Sequence, residues 1–337
     1  MAGRPTIIDV ARVAGVSKST VARVLEGQNT PVREEVRARV WQAVTALGYE
    51  RNAVASSLRT DRTLMMMLAI PDITNPFWPE VARGLQDTVE REGYSVVFAN
   101  SDWDATREEG FLRLARRNRF DAIAINPTCV TNAELLASGI PAVILGLRDD
   151  FPDFDMVGSD SQQGTLIGLE HLYALGHRRI GVIHGQYQSR VASHARRHGY
   201  ELFLQRTQLP RDSSLVAEVP FDLAGGYRGC QALLSLAERP TAIFAANDIL
   251  AIGAMQAAHD AGLRIPDDLS IVGMDDIYSA ATTTPPLTTM AKDKYEIGRQ
   301  TGLFLLDRLQ GRAPKTARRC AIPCRLVLRG STAPPRQ

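Results

Sequence analysis

The first 48 residues carry their apolar side chains at helical spacing. Small or apolar residues recur every three or four positions across two short segments, at Val10, Ala11, Ala14, Val16, Val21 and Val24. This period is typical of two amphipathic helices, and Gly15 between them tolerates the left-handed turn that would join them. A third helix is predicted over residues 32–47, ended by Gly48, with an inner stripe at Val36, Val40, Val44 and Leu47. The pattern predicts a compact three-helix domain.

After residue 63 the pattern changes to short apolar runs that alternate with amphipathic helices. We predict eight strands, over residues 64–70, 94–100, 121–126, 141–146, 179–185, 215–219, 241–247 and 269–275. The helices between them include residues 79–92, which place Val81, Leu85 and Val89 on one face. Such repeats predict parallel sheets, and eight strands are too many for one compact half. We therefore expect two doubly wound lobes, with a ligand cleft at the carboxyl ends of their strands.

A short segment between these two regions has a weaker signal. Residues 52–59, NAVASSLR, are flanked by polar and charged residues and are long enough for two helical turns. A helix of this length is unstable alone in water. A plain linker and a helix that folds only on binding both remain open, and we expect the tail at residues 331–337 to be disordered.

Composition and charge narrow the class of protein. The 337 residues are 45% hydrophobic with a net charge of +2, but residues 1–60 hold nine Lys or Arg against five Asp or Glu. The basic excess therefore lies with the three-helix domain. No apolar run approaches the roughly 18 residues of a membrane span, and the N-terminus lacks the apolar part of a secretory signal, so we expect a cytoplasmic protein. We expect the four cysteines to be free thiols, and we expect neither a metal nor a cofactor.

The first two helices carry side chains suited to DNA. Thr6 and Asp9 are spaced as a capping box for the first helix, and Ser17 is a good N-cap for the second. The candidate contacts in the second helix are Lys18, Ser19, Thr20 and Arg23. In a helix-turn-helix this helix lies in the major groove, where Lys and Arg donate to guanine, while hydroxyls and the helix N-terminus bind bases or phosphates. The alternative is an ordinary pair of core helices with solvated charges.

Seven segments, in order along the chain, resemble one protein family. They are TIIDVARVAGVSKSTVARVLEG, ALGYERNAVASSLR, IPDITNPFWPEVARGLQ, LGHRRIGVI, FAANDILAIGAMQA, IPDDLSIVGMDD and PPLTTM. Together they resemble the LacI/GalR family of bacterial transcription regulators, in register from about Thr6 to Leu328. The resemblance implies a helix-turn-helix headpiece at residues 1–48, a hinge helix and linker at 49–62, and a core at 63–337 like the type I periplasmic binding proteins. It implies one lobe from residues 63–160 plus 292–325 and another from 161–291 plus 326–337.

The resemblance also implies how DNA is bound. In the family, two headpieces of a homodimer read a pseudo-palindromic operator, and the two hinge helices meet in the minor groove. The implied hinge contacts are Asn52, Ala55 and Leu58, and Thr6 adds a contact from the headpiece. Leu58 matches a leucine that wedges between base pairs, which costs least at a flexible pyrimidine–purine step, so we expect a central CG. Ala22 and Glu26 stand where serine and asparagine are common. One phosphate contact would then be missing and the Glu26 carboxylate would repel phosphates, while the motif is kept and the effect on operator affinity stays open.

The resemblance further implies an effector site in the cleft. The matching residues are Phe77, Trp78, Asp160, Arg190, Arg196, Phe221, Asn247 and Asp275. Aromatic rings on both lobes would clamp a sugar or a flat base, the two arginines would bind polar or anionic groups, and Asp275 would accept from hydroxyl or N–H groups. Asn247 and Asp160 are weaker candidates, and Arg148 and Trp103 are weaker still.

These features predict a repressor that a small molecule controls allosterically and that acts on DNA in the cytoplasm, at the nucleoid. The expected effector is a sugar or sugar derivative, and the two arginines would also admit a sugar acid or a sugar phosphate. A purine is the alternative, and the sequence fits either an inducer or a corepressor. A solute-binding protein is a distant alternative because the headpiece has no place in it. An enzyme is not expected, since the chain has no GxGxxG, P-loop or GxSxG motif.

Overall fold

The computed structural model describes residues 5–25, 32–50, 62–185 and 195–336. The chain divides into two compact units, Met1–Thr63 and Leu64–Gln337, which we call the headpiece and the core. Some residues singled out in the sequence lie outside the described ranges: Glu26, Asn52, Ala55, Leu58 and Arg190. None of the helices in these ranges combines the length and the apolar composition of a membrane span.

Residues 5–25 and 32–50 of the headpiece form three short helices, α1 (Ile7–Ala14), α2 (Lys18–Leu25) and α3 (Glu34–Leu47). The predicted capping box is confirmed at α1, where the Asp9 N–H donates to Thr6 Oγ1 at 3.3 Å and the Thr6 N–H donates to the Asp9 carboxylate at 3.0 Å. The turn after α1 passes through Gly15 with φ 63°, in the left-handed region that glycine adopts at little cost. The helices pack around a small core of Val10, Ala11, Ala14, Val21, Val24, Val40 and Ala43.

The core contains two sheets, one in each lobe. The first lobe holds β1 (Met65–Ile70), β2 (Ser95–Asn100), β3 (Ala122–Ile125), β4 (Ala142–Leu145), β5 (Asp155–Ser159) and β11 (Arg319–Ile322). Their order is β11–β5–β4–β3–β1–β2, and all neighbours are parallel. The second lobe holds β6 (Ile180–Gly185), β7 (Val216–Val219), β8 (Ala242–Ala245), β9 (Ser270–Asp275), β10 (Thr288–Ala291) and β12 (Arg325–Val327). Their order is β12–β10–β9–β8–β6–β7, and β12 runs antiparallel to β10.

In the described part of the core, eight helices cover the faces of the sheets. They are α4 (Phe77–Val89), α5 (Ala105–Arg117), α6 (Asn132–Ser138), α7 (Ser161–Ala174), α8 (Ala195–Thr207), α9 (Leu223–Leu234), α10 (Asp248–Asp260) and α11 (Lys294–Leu309). In the first lobe the backbones of α4 and α11 are in close contact. Gly84 and Gly298 allow this approach, because a Cβ on either residue would overlap main-chain atoms of the other helix. Helix α11 is therefore fixed to the first lobe.

The predicted fold class, a three-helix headpiece and a two-lobed α/β core, is confirmed. All eight predicted strands form, each one or two residues shorter at an end than predicted. Four strands escaped the sequence analysis: β5, β10, β11 and β12. Strand β10 begins with two threonines that the fold buries completely, and β11 and β12 are short with an arginine at the start. Apolar periodicity does not detect such segments.

The prediction of a disordered tail is wrong for residues 331–336. Ser331 is completely buried, its hydroxyl donates to the Ile271 carbonyl at 2.6 Å, and it accepts the N–H of Thr288 at 2.8 Å. His177 Nε2 lies 2.9 Å from the carbonyl of Ala333. The tail is ordered because it provides hydrogen-bond partners for buried polar groups of the second lobe, which a polar sequence alone does not reveal.

Candidate functional site

The start of α2 forms the candidate DNA-binding surface of the headpiece. Ser17 caps this helix, since its Oγ accepts the N–H of Thr20 at 3.1 Å. The same Oγ lies 2.8 Å from the hydroxyls of both Ser19 and Thr20, so three hydroxyls gather at the helix N-terminus. Lys18 and Ser19 are exposed beside them. Backbone N–H groups and hydroxyls at a helix N-terminus suit a phosphate, and the exposed side chains suit base edges.

Arg23 extends this surface by one helical turn. Its side chain is exposed, and its Nε donates to the Ser19 carbonyl at 3.3 Å, which holds the guanidinium along the face that carries Ser19. Val21 and Val24 point into the headpiece core, so the buried and exposed faces of α2 are separate. Thr6 is exposed at the start of α1, where its hydroxyl already donates a hydrogen bond to the Asp9 carboxylate.

The candidate ligand site is a cleft between the carboxyl ends of the strands of the two lobes, around a cavity of about 150 Å³. Six of the predicted effector residues line it: Phe77, Trp78, Arg196, Phe221, Asn247 and Asp275. Asp160 is not among the lining residues, and its carboxylate instead caps α7 by accepting the Gln163 N–H at 2.9 Å. Asn247 lines the cleft while its Oδ1 caps α10 at the N–H of Leu250, 2.8 Å away.

The aromatic pair across the cleft differs from the predicted one. Phe221 of the second lobe stacks on Trp103 of the first, with ring centroids 5.2 Å apart and planes 4° from parallel. Trp78, which the sequence analysis ranked above Trp103, is buried in the core of the first lobe and meets Phe77 edge to face. Trp103 follows β2 in a turn where it and Asp102 both have left-handed backbone angles, φ 61° and 49°. The sequence does not predict this turn, which directs the Trp103 ring at Phe221.

A buried ion pair that the sequence analysis missed lies in the cleft. Lys292 Nζ is 2.8 Å from Asp275 Oδ1, and the two side chains are 5% and 6% exposed. Burial lowers the pKa of Lys292, the charge of Asp275 opposes that effect, and the charge of Arg196 adds to it. Lys292 directly follows β10, so a charged residue at the carboxyl end of a strand was the available signal. It was overlooked because β10 itself was not predicted.

A second lysine joins the two lobes behind this ion pair. Lys294, the first residue of α11, donates from Nζ to the carbonyls of Asp275 at 3.0 Å and Asp276 at 2.7 Å. The same ammonium lies 3.4 Å from the Glu80 carboxylate on α4. Asp275 and Asp276 have φ angles of 122° and 55°, in the left-handed region that non-glycine residues rarely occupy. Lys294 therefore links the strained end of β9 in the second lobe to the first lobe.

Two further ionisable groups are buried near the cleft. Asp248 is the first residue of α10, and Asn247 caps that helix. The Asp248 carboxylate is completely buried and accepts the N–H of Ile277 at 2.9 Å, and burial, with the charge of Asp275, raises its pKa to about 7. Burial, followed by the charges of Arg196 and Arg197, lowers the pKa of His184 to about 4. At neutral pH His184 is uncharged.

Comparison with known proteins identifies two matching regions of the chain. Residues 6–52 match the bacterial regulatory proteins of the lacI family, and residues 169–332 match a periplasmic binding protein-like domain. The PurR repressor of Aliivibrio salmonicida is 31% identical, over 90% of this chain and 92% of its own length. The ribose operon repressor of Haemophilus influenzae is 34% identical over the same shares of the two chains.

Among solved structures, the Lac repressor dimer bound to operator and the anti-inducer ONPF is similar throughout. Its TM-score is 0.87 and its identity is 29%, over 98% of this chain and all of that one. Sequence and fold thus agree along nearly the entire chain, including the headpiece. The protein belongs to the LacI family of bacterial transcription regulators.

Proposed function

We propose that this protein is a repressor that binds a pseudo-palindromic operator as a homodimer and that a small molecule controls. The observation that carries this proposal is the presence, in one chain, of an exposed α2 surface with Lys18, Ser19 and Arg23 and of a cleft closed around a buried ion pair. The first feature binds a polyanion, and the second recognises a small molecule. Such a protein acts on chromosomal DNA, which places it at the nucleoid in the cytoplasm.

On DNA, α2 lies in the major groove. Lys18 and Arg23 donate to guanine O6 and N7, Ser19 contacts a base, and the hydroxyls of Ser17 and Thr20 contact phosphates. Thr6 adds a phosphate contact from the start of α1. In the hinge, Asn52, Ala55 and Leu58 enter the minor groove, where Leu58 unstacks a central CG step.

The homodimer accounts for two patches of exposed apolar residues on the core. On the edge strand β2 of the first lobe, Val97 and Phe98 are exposed, and on the second lobe Leu223 and Tyr278 are exposed. An edge strand with apolar side chains is a surface that proteins normally cover. The Lac repressor neighbour is itself a dimer. We therefore place the second copy of this chain against both patches.

The effector is a sugar or a sugar derivative bound in the cleft, where Asp275 accepts from its hydroxyl groups and aromatic rings cover its C–H face. The ribose operon repressor among the relatives favours this class, and the PurR repressor favours a purine, which is the second candidate. Effector binding changes the relative orientation of the lobes and thereby shifts the operator affinity, and the coupling is reciprocal.

Selection of operators from a random duplex library with the purified full-length protein tests the DNA-binding part. We expect the enriched sequences to be inverted repeats, with half-sites about one helical turn apart and CG at the centre. Leu58→Ala should lose specific binding and keep salt-sensitive, non-specific binding, while Leu328→Ala, an exposed leucine of the core, serves as the matched control. Enrichment of asymmetric sequences, or of none, would contradict the proposal.

Light scattering at micromolar concentration tests the assembly. We expect the mass of a dimer, and we expect Phe98→Glu or Tyr278→Glu to shift it toward the monomer, because each places a charge in the apolar contact. Leu328→Glu should leave the dimer intact. A stable monomer or tetramer of the unsubstituted protein would overturn this part.

A further inference from the structure

The Asp248 side chain connects three elements inside the second lobe. Asp248 is the first residue of α10, and it is completely buried. Its Oδ2 accepts the N–H of Ile277, in the segment after β9, at 2.9 Å, and its Oδ1 accepts the hydroxyl of Thr289 on β10. Ile277 and Thr289 are buried as well, so loss of Asp248 would leave two buried donors without this acceptor. One carboxylate therefore joins α10, β10 and the chain beyond β9.

Gly273 provides the space for this carboxylate. Gly273 lies on β9, two residues before Asp275, and a Cβ at this position would overlap Asp248 Oδ1. The carboxylate thus takes the place of a side chain on β9 and lies directly against that strand. The charge of Asp275 contributes, after burial, to the raised pKa of Asp248, so the two carboxylates interact. A larger residue at position 273 would push Asp248 away from β9.

The segment that Asp248 holds has a backbone conformation that is rare outside glycine. Asp275 and Asp276 have φ angles of 122° and 55°. Such angles persist only where the surroundings fix them. Two side chains do so here, since Arg329 donates to the Asp276 carboxylate at 2.6 Å and Asp248 accepts the next N–H, that of Ile277. The conformation of the chain after β9 therefore depends in part on Asp248.

This segment carries both contacts of Asp275 with the cleft. The Asp275 carboxylate lines the cavity beside Lys292, and the Asp275 carbonyl accepts from Lys294 of α11, whose ammonium also lies 3.4 Å from Glu80 of the first lobe. Asp248 is not among the described residues that line the cavity. It can therefore affect a ligand only through the segment that it holds.

We propose that Asp248 is a positioning residue of the effector site: it holds residues 275–277 in the conformation that presents the Asp275 carboxylate to the cavity and the Asp275 carbonyl to Lys294. Without Asp248 the segment relaxes, the carbonyl moves away from Lys294, and the contact between the lobes loosens. This inference rests on the proposed function only in taking the cleft as the effector site. The orientation of the lobes then depends on a residue that does not line the ligand cavity.

Trp103 reports the orientation of the lobes without any effector. It belongs to the first lobe and stacks on Phe221 of the second, with ring centroids 5.2 Å apart. The chain has two other tryptophans, Trp41 in the headpiece and Trp78 in the core of the first lobe. Fluorine NMR of the full-length protein labelled with fluorotryptophan gives three signals, which Trp41→Phe and Trp103→Phe assign. Phe221→Leu defines the shift of the Trp103 signal that loss of the ring contact produces.

Substitution of Asp248 tests the proposal. In the unliganded protein, Asp248→Ala should move the Trp103 signal towards its position in Phe221→Leu, over about half of that distance or more. Asp248→Asn should leave the signal near its original position. Asparagine keeps an oxygen for the Ile277 N–H, and its amide N–H can donate to the Thr289 hydroxyl.

His177→Ala is the matched control for the loss of a buried polar side chain. His177 is buried in the same lobe and bonds to Thr241, which precedes β8 at the end of the sheet away from the cleft. Its loss should leave the Trp103 signal in place. If circular dichroism shows that Asp248→Ala is unfolded, Thr289→Val decides, because it removes one of the two donors to Asp248 and should move the signal in the same direction.

An unchanged Trp103 signal in folded Asp248→Ala, or in Thr289→Val where that variant decides, would overturn the proposal. A shift of the same size in Asp248→Asn or in His177→Ala would also overturn it, because the effect would then follow from general destabilisation. The signal is recorded without DNA and without effector. A failure of operator binding would therefore contradict the repressor function and leave this inference standing.

Discussion

The headpiece and the cleft hold their charged residues in opposite ways. Lys18 and Arg23 of the headpiece are exposed on one helix and depend on no distant residue for their position. Lys292 and Asp275 are buried, and they meet only because β9 and β10 are neighbours in the second sheet. A surface that binds DNA can therefore change its charges with little effect on folding, whereas the cleft cannot.

Removal of Asp275 should produce the largest contrast between the two regions. Asp275→Ala leaves the Lys292 ammonium buried without its carboxylate, and breaking a buried pair in this way costs about 3–5 kcal/mol. We expect urea denaturation to show a loss of this order in the free energy of unfolding of the core, together with loss of the effector response. Lys18→Ala, the matched change in the headpiece, should alter stability by no more than about 0.5 kcal/mol. Equal free energies of unfolding for Asp275→Ala and Lys18→Ala would contradict this difference between the cleft and the headpiece.

Arg23→Ala should weaken operator binding and leave the stability of the protein unchanged. Loss of a guanidinium that contacts a guanine should weaken operator binding by about 1–3 kcal/mol and relax specificity at one base pair. The free energy of unfolding should stay unchanged, because the side chain is exposed. Fluorescence anisotropy with the operator and with scrambled DNA measures both effects, and Arg312→Ala on the core is the control. An equal loss on both DNAs would mean that Arg23 contacts only phosphate.

Two buried groups of the core, Asp248 and His184, should make stability depend on pH. Folded Asp248 has a pKa of about 7 against 3.8 for the ordinary carboxyl, so its contribution is full below pH 3.8 and is lost as the pH rises towards 7. Folded His184 has a pKa of about 4 against 6.5, so its contribution is full above pH 6.5 and is lost as the pH falls towards 4.

These two contributions oppose each other between pH 4 and 6.5, each with a slope of up to about 1.4 kcal/mol per pH unit. Asp248→Asn should leave the His184 slope, so that the free energy of unfolding rises with pH across this window. Urea denaturation at several pH values measures the slope. A variant profile parallel to that of the unsubstituted protein would show that Asp248 does not titrate there.

Two matched helix caps give the smallest expected effects. Thr6 in the headpiece and Thr131 in the core both form capping boxes, with Asp9 and Glu134. Replacement of either threonine by alanine should cost about 1 kcal/mol of stability. Thr6→Ala should in addition weaken operator binding, while Thr131→Ala should leave it unchanged. Loss of operator binding in both variants would indicate that folding of the core governs the headpiece.

The difference between contacts local in the chain and contacts between distant residues explains which features the sequence could predict. In the headpiece, Gly15 fixes the turn and Ser17 caps α2 through contacts with residues close in the chain, so local rules were sufficient. Six of the predicted core strands, β1, β3, β4, β6, β8 and β9, are buried on both faces, so their continuous apolar runs were visible in the sequence.

The cleft depends on contacts between residues far apart in the chain. Trp103 meets Phe221 across more than a hundred residues because of two left-handed backbone angles in the turn after β2. Lys292 reaches Asp275 because β10, a strand with buried threonines, lies beside β9. Neither contact leaves a periodic signal in the sequence, so Trp103 was ranked below Trp78 and Lys292 was missed.

Lys294 has a consequence for how a ligand is sensed. Asp275 offers its carboxylate to the cavity and its carbonyl to Lys294, which belongs to the other lobe. The carboxylate that faces the cavity and the carbonyl that contacts the other lobe therefore belong to the same residue. Coupling between the ligand and the lobes needs no chain of intermediate side chains. A ligand that rotates Asp275 also displaces the carbonyl that Lys294 binds, and so changes the contact between the two lobes.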